Sequence, residues 1–473
     1  MTSQLFKQLL ISFSILGVLL LIGTILRAKV KIFQKMFLPA SVIGGFIGLI
    51  LGPELLGKVL PITFSQDYVS IWLQLPSILV VPIFAAVPLG LFLNEKKDSE
   101  AKKKKKKSGL PSAALICLGI LMGVSWLQSV VGFGTNVVIS KIFPNMGIYR
   151  IFGYELSQGF VGGHGSAGQV ASIYQQLGLD FWQTAQGVTT ATATIGLVGG
   201  MLLGIVFINA AARKGKTALM TEPAKLSEDL LSGMIKDVSQ QGSMGRETTH
   251  NSTIETSTLH MALILAACGI GYLIVKLLAA AGSLMPVWIW AMAAMLGINA
   301  IIKKLKLGWL IDPKVKSKIT GTLSDFAIVS AIASVPIQLV GQFIVPILVM
   351  CAIGFVATYF YIFKMSAWLL KDNCPFEHSI IAWGTSTGVV ITGMMLLKIC
   401  DPEYKTPALQ DFSVGFSMIS IFSLALYVVI MKALAGWSTM ANFGFSTVVC
   451  IAFTAMAIIV GLIAKNKNKR AEA

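Results

Sequence analysis

Residues 159–168 read Gly-Phe-Val-Gly-Gly-His-Gly-Ser-Ala-Gly, a cluster of residue types that could do chemistry. Gly163-His164-Gly165-Ser166-Ala167-Gly168 has the G-x-G-x-x-G spacing of a dinucleotide cradle, and Ser166 beside His164 suggests a nucleophile with its base. Neither chemistry has its supporting parts. The phosphate-binding turn requires a strand before it and a helix after it in a βαβ unit, and the flanking sequence is apolar with no such unit. A nucleophile elbow requires glycine two residues before the serine, where His164 stands, and no acid is placed to orient the histidine. The expected class is therefore not an enzyme.

The remaining question is what holds five glycines and two polar side chains in an oily stretch. The chain has 473 residues, 55% hydrophobic and 12% charged, about half the roughly 25% charged content of soluble domains. Apolar runs of about 20 residues, the length that crosses a bilayer as a helix, recur throughout. The expected fold is an all-α, multi-pass integral membrane protein. The first run, about 5–26, lacks a basic leader and cleavage site, so it is expected to be a retained span. The net charge of +17 does not indicate nucleic acid, because the basic residues gather in short polar segments between apolar runs, as the positive-inside rule describes. The run Lys102 to Lys107 is the densest of these, a topology signal with attraction to anionic lipid as a secondary effect. The six cysteines are scattered without metal-ligand spacing, so no transition-metal site and no cofactor are expected.

Ordinary spans fall near 5–26, 38–57, 71–93, 110–131, 183–212, 257–281, 285–302, 320–341, 343–364, 411–432 and 440–464. Placing the basic segments 27–35, 94–107, 213–246, 303–318, 364–405 and 465–470 in the cytoplasm leaves outside them only Lys7, Lys58, Lys141, Arg150, Lys276 and Lys432. This assignment puts the N-terminus outside and the C-terminus in the cytoplasm. It also has a parity consequence. The stretches about 150–178 and 376–400 cannot cross; each must enter and return on its own side. Irregular backbone at membrane depth survives only where protein or water covers it. The bend of the first hairpin is expected at Gly162, Gly163, His164, Gly165 and Ser166, and that of the second at Gly384, Thr385, Ser386, Thr387 and Gly388.

The polar stretch 213–256 divides the chain. Residues 1–212 and 257–435 each read as about five spans with one re-entrant hairpin, in opposite orientation, and 436–473 adds a C-terminal span with a basic tail. Inverted repeats with broken helices near the midplane are characteristic of secondary transporters. After the first hairpin Thr190 and Thr194 share a helix face, and after the second Ser413, Ser417 and Ser420 do. Such hydroxyls suit a small hard cation, and they equally serve as helix-packing polar residues. Gly44-x-x-x-Gly48-x-x-x-Gly52 and Gly196-x-x-x-Gly200-x-x-x-Gly204 read as close-packing ridges. His164 either hydrogen-bonds within its bend or meets substrate or a proton. Among the acids near the membrane (Glu155, Asp180, Asp325, Glu377, Asp401, Glu403 and Asp411), Asp411 is the preferred functional candidate, because it opens the Ser-bearing span.

Gly162-Gly163-His164-Gly165-Ser166-Ala167, followed by a Thr-rich span carrying Gly196 to Gly204, resembles the GGHGTA-type signature of bacterial sodium/glutamate symporters. The second bend, Gly384-Thr385-Ser386-Thr387-Gly388-Val389-Val390, is less like that family, and the Lys-rich loop, the long linker and the last span are additions. The resemblance implies Na⁺-coupled uptake of glutamate across the bacterial cytoplasmic membrane, a homodimer in lipid, and elevator-like movement of the hairpin-bearing part. Substrate carboxylates would then meet the hairpin amides with Ser166, Thr385, Ser386 and Thr387, while Thr190, Thr194, Ser413 and Ser417 would hold Na⁺. The alternatives are a Na⁺-coupled hydroxy-di- or tricarboxylate carrier and an ion channel built on pore loops.

Overall fold

The computed structural model describes residues 3–36, 38–53, 55–56, 64–90, 112–218, 228–250, 252–279, 287–401 and 405–472. For some helical residues, Ser417 and 420–425 among them, it describes the backbone alone. The run Lys102 to Lys107 and Glu403 lie outside the described residues. The longer helices, in chain order, are α1 (Ser3–Lys29), α2 (Ala40–Ile50), α3 (Gln66–Ala86), α4 (Ser112–Ile142), α5 (Tyr154–Gln176), α6 (Trp182–Arg213), α7 (Thr256–Ala279), α8 (Val287–Lys304), α9 (Pro313–Ala333), α10 (Ile344–Leu369), α11 (Pro375–Cys400), α12 (Ala408–Gly436) and α13 (Thr439–Glu472). Among the described residues there is no strand, and nine helices are long and apolar enough to cross a membrane. Their outer faces carry large apolar side chains left open, such as Leu21, Leu277, Val345 and Val448, which suits contact with acyl chains rather than water.

Two expected spans are shorter than their apolar runs. The run 38–57 forms a described helix only over Ala40–Ile50, and 320–341 ends as a helix at Ala333, before Val335-Pro336. Proline cannot donate the next helical hydrogen bond, and it disfavours helical geometry in the residue before it. In α3, Pro76 and Pro82 sit inside the helix. One residue beyond Trp72, whose carbonyl Pro76 cannot serve, Leu73 O accepts from Gln186 Nε2 of α6 at 3.0 Å.

α5 and α11 do not run straight. As a straight helix, the 23 residues of α5 would separate its ends by about 33 Å. Instead the Tyr149 ring, just before α5, stacks on Phe181, just after it, at 4.5 Å, and Tyr174 meets the same ring at 5.7 Å. The chain therefore reverses within the element, and its one non-helical residue is Gly163. In α11 the non-helical residues are Gly388 and Val389. A Cβ on Gly384 would lie 2.6 Å from Gly393 Cα, and one on Gly393 would lie 2.5 Å from Ile381 O, so residues nine and twelve apart in sequence pack together as two arms. The bend expected at Gly384 to Gly388 is thus displaced. Gly384, Thr385, Ser386 and Thr387 belong to the first arm. The small pair Gly384 and Gly393 lets the arms touch, and the turn falls at Gly388-Val389.

The first folded-back element is anchored to α4. Gly132 and Gly153 meet backbone to backbone, leaving no space for a Cβ on either, while Asn136 Nδ2 donates to Phe152 O (2.8 Å) and Tyr149 O (3.1 Å). The described part of the linker also packs on the helices: Thr248 Oγ1 donates to Leu310 O at 2.8 Å, and Thr248 N to Thr256 Oγ1 at 2.9 Å.

Because α5 begins and ends together, Asn145→Cys and Asp180→Cys, at two exposed positions, are expected to react with a membrane-impermeant thiol reagent from the same side of the membrane. The described native cysteines are buried or half-buried and give little background. Labelling from opposite sides would contradict the reversal.

Candidate functional site

The site is built where the two bends meet. Gly163 has φ 63° and ψ −159°, and Val389 has φ 67° and ψ 171°. Both lie in a region of backbone space that is essentially reserved for glycine and costs other residues about 1–3 kcal/mol. The two residues also face each other, since a Cβ on Gly163 would fall 2.5 Å from Val389 Cγ1. Around this contact the first bend divides its roles. Gly162 leaves room for the Ser166 hydroxyl, which occupies the place a Gly162 side chain would take. Gly165 is exposed with open space where its side chain would be. His164 is buried and its Nε2 lies 3.0 Å from Thr194 Oγ1. Thr194 gives its proton to Thr190 O at 2.9 Å, so His164 Nε2–H is the donor in that pair and Nδ1 is the acceptor nitrogen of the ring. Thr190 likewise donates to Gln186 O at 2.9 Å. Both hydroxyls thus spend their protons on helix carbonyls and keep only lone pairs to offer, and on Thr194 one of these accepts from His164 Nε2–H.

The second element is held by α6 and α4. Gly196 and Gly200 of α6 press against Thr387 O and Thr387 Oγ1, and Gly204 against Leu396. The ridge read as a close-packing surface is thus the seat of α11. Trp383 Nε1 donates to Gly200 O at 2.8 Å. Thr387 Oγ1 donates to Trp383 O at 2.8 Å, and Thr392 Oγ1 to Gly388 O. Gln128 of α4 donates through Nε2 to Ser386 O (2.7 Å) and Thr358 Oγ1 (3.0 Å). Thr385 Oγ1 and Gln128 Oε1 are both buried and have no hydrogen-bond partner among the described residues, which a bound ligand, ion or water would explain.

Other candidates lie elsewhere. Asp411 Oδ2 pairs with His378 Nε2 at 3.2 Å and accepts from Asn373 Nδ2 at 3.1 Å. His378 is ten residues from Gly388 along the first arm, about 15 Å at helical rise, so Asp411 braces the base of α11 and does not line the bends. Ser413 is exposed and donates to Leu409 O at 2.6 Å, and the structure does not bring it to Thr190 and Thr194. The Ser417 side chain lies outside the described ones. Gly44 and Gly48 pack α2 on Leu19 of α1 and on Ala333 of α9.

Two of the acids named from the sequence, but not preferred there, are buried. Glu155 and Glu377 stand at the second residue of α5 and near the start of α11, in the related strings Tyr154-Glu155-Leu156-Ser157 and Phe376-Glu377-His378-Ser379. Glu155 accepts from Tyr149 Oη and Gly153 N, both at 2.8 Å, and Glu377 from Ala218 N at 2.7 Å. The recurrence of aromatic-Glu-x-Ser at each folded-back element was the available signal. Gln128 offered none, being a single amide in an apolar helix.

Long apolar helices with two broken, folded-back elements whose bends touch describe a multi-pass membrane protein. The family model for the sodium/glutamate symporter matches residues 7–372. The chain belongs to that family. The match includes the Gly162 to Ser166 bend and stops before Pro375, where α11 begins. Among curated proteins, none matches the sequence.

Gly163→Ala, which must hold the same backbone against Val389, is expected to lower thermal stability in detergent by about 1–3 kcal/mol. Gly165→Ala, with open space for its Cβ, should leave the melting temperature unchanged. Equal shifts would contradict the assignment of Gly163 as the bend.

Proposed function

We propose that the protein is a Na⁺-coupled symporter that carries glutamate into the cell, with the substrate bound between the two bends. One observation carries the reading. Gly163 and Val389, in matching backbone conformations, face each other, and the arm that leads to Val389 carries the buried, unpartnered Thr385 hydroxyl and the Ser386 carbonyl bonded by Gln128, whose own carbonyl oxygen is unpartnered. Amides freed at a break suit the carboxylates, together with Gly162, His164, Gly165 and Ser166 from the first bend. Thr385, Ser386, Thr387 and Gly388 serve from the second. Thr190 and Thr194 offer oxygens to Na⁺. The place of Ser413 and Ser417 in a second cation site stays part of this proposal, while Asp411 acts through His378 on the base of α11.

On this reading α5 and α11 are re-entrant hairpins of two inverted repeats, 1–212 and 257–435, joined by the linker 213–256, with 436–473 appended. The cross-bracing supports it: α6 follows α5 but seats α11, while α12 follows α11 and reaches α5 through Tyr427 Oη, which donates to Gln158 Oε1 at 2.6 Å. The N-terminus is outside and the C-terminus in the cytoplasm of a bacterial inner membrane. The hairpins with α6 move as the carrier part of an elevator in each protomer of a homodimer. A second reading, transport of a hydroxy-di- or tricarboxylate, is favoured by the family match ending before α11.

Coupling must also be sufficient. At −100 mV one Na⁺ entering down a tenfold gradient releases about 3.7 kcal/mol, and a glutamate monoanion costs about 2.3 kcal/mol to bring in. A single Na⁺ therefore sustains only about tenfold accumulation, and two sustain several-thousand-fold. Proteoliposomes with set Na⁺ gradient and potential are expected to take up glutamate only with Na⁺, carrying net positive charge inward. Thr190→Val and Thr194→Val should each raise the Na⁺ concentration for half-maximal uptake by about tenfold. Uptake of a hydroxycarboxylate in preference to glutamate would select the second reading. Uptake of either that is indifferent to Na⁺ would overturn both.

A further inference from the structure

A cavity of about 470 Å³ opens at the basic end of α6, between α6, α10 and the first turn of α11, away from the two bends. Its wall is aromatic: Phe207 packs on Tyr359 at 4.7 Å and on Phe363 at 5.5 Å, and Phe363 on Phe376 at 6.0 Å. Its rim holds Lys214 and Lys216, both exposed. The mouth lies between two outward stripes. On α6, Leu202, Val206, Ala210 and Lys214 follow at four-residue steps and are all exposed. On α10, Ile353, Val356 and Phe360 are exposed, and Lys364 Nζ sits 5.1 Å over the Phe360 ring. Apolar shafts that end in cations at one level describe the profile of one bilayer leaflet, where basic pockets between helices take acidic head groups.

We propose that this cavity binds an anionic phospholipid, with its phosphate against Lys214 and Lys216 and its acyl chains along the α6 and α10 stripes. The wall argues against a route for free carboxylate. A dicarboxylate there would meet four aromatic rings, and of the two hydroxyl-bearing residues on the wall, Tyr359 and Ser379, the serine Oγ already donates to Pro375 O at 2.7 Å. A volume within the ordinary range of small-ligand sites, about 300–1,000 Å³, accommodates a head group with the first part of its chains. The seat also adjoins the transport machinery. Phe207 packs on Trp383 at 5.1 Å, and Trp383 Nε1 bonds Gly200 O, so an occupied cavity braces the first arm of α11 whichever substrate is carried.

The test uses the full chain purified in neutral detergent, with native mass spectrometry and thermal unfolding. The probes are phosphatidylglycerol, phosphatidylcholine, glycerol phosphate and glutamate. Wild type is expected to retain phosphatidylglycerol at least tenfold better than phosphatidylcholine and to melt at higher temperature with it. Lys214→Gln with Lys216→Gln, two surface changes, should remove that preference without altering the melting temperature of the lipid-free protein. Equal retention of the two lipids by wild type would overturn the proposal, as would unchanged phosphatidylglycerol retention by the double variant. Full stabilisation by glycerol phosphate or glutamate alone would show a vestibule for soluble anions instead, and would also overturn it.

Discussion

The contact between Gly163 and Val389 is the constraint on which the rest of the structure depends. Each residue ends one helical arm and begins another, and each does so in a backbone conformation that a side chain resists. Two such turns side by side leave several backbone groups without helical partners. Inside a membrane those groups must be served by protein, water or ligand. Side chains around the second bend serve two of them, the carbonyls of Ser386 and Gly388.

The supports are few and specific. Gln128 reaches across from α4 to the Ser386 carbonyl, Trp383 ties α11 to Gly200, and Thr392 closes on Gly388 O. The Gly196, Gly200 and Gly204 ridge brings α6 against α11 closely enough that any added side chain would displace Thr387 or Leu396. Thr192 Oγ1 donates to Glu155 O at 2.9 Å and pins the same helix to the first arm of α5. α6 thus packs on both folded-back elements at once, which is how a hydroxyl pair on it, Thr190 and Thr194, comes to lie beside the first bend.

Much of this was legible in the sequence, for physical reasons. A bilayer admits few architectures, so the spacing of apolar runs set the helices. The limits 150–178 and 376–400 fall within a few residues of Tyr154–Gln176 and Pro375–Cys400. The string Gly162-Gly163-His164-Gly165 located the first bend, because glycine density there exceeds what packing needs. The second bend was misplaced because Gly384 and Gly388 look alike in sequence. One serves the contact between arms and the other begins the turn, and the turn's strained residue is Val389, a β-branched residue that no local rule would choose. The partner of Asp411 was hidden for a related reason. A lone acid opening an apolar span gives no sign of its partner, and His378 lies 33 residues away. Gln128 and Thr358, 230 residues apart, could be joined only by the fold.

The central claim, that the two bends touch and act as one site, is tested most directly by a double-substitution cycle on Na⁺-driven glutamate uptake. Gly163→Ala drives a methyl group into Val389, whereas Val389→Gly removes both that obstacle and the strain at the second bend. In direct contact, the two changes are not independent. Uptake by Gly163→Ala with Val389→Gly should exceed the product of the two single effects several-fold, with part of the Gly163→Ala loss restored. Uptake equal to that product, with no restoration, would contradict the contact and the site built around it.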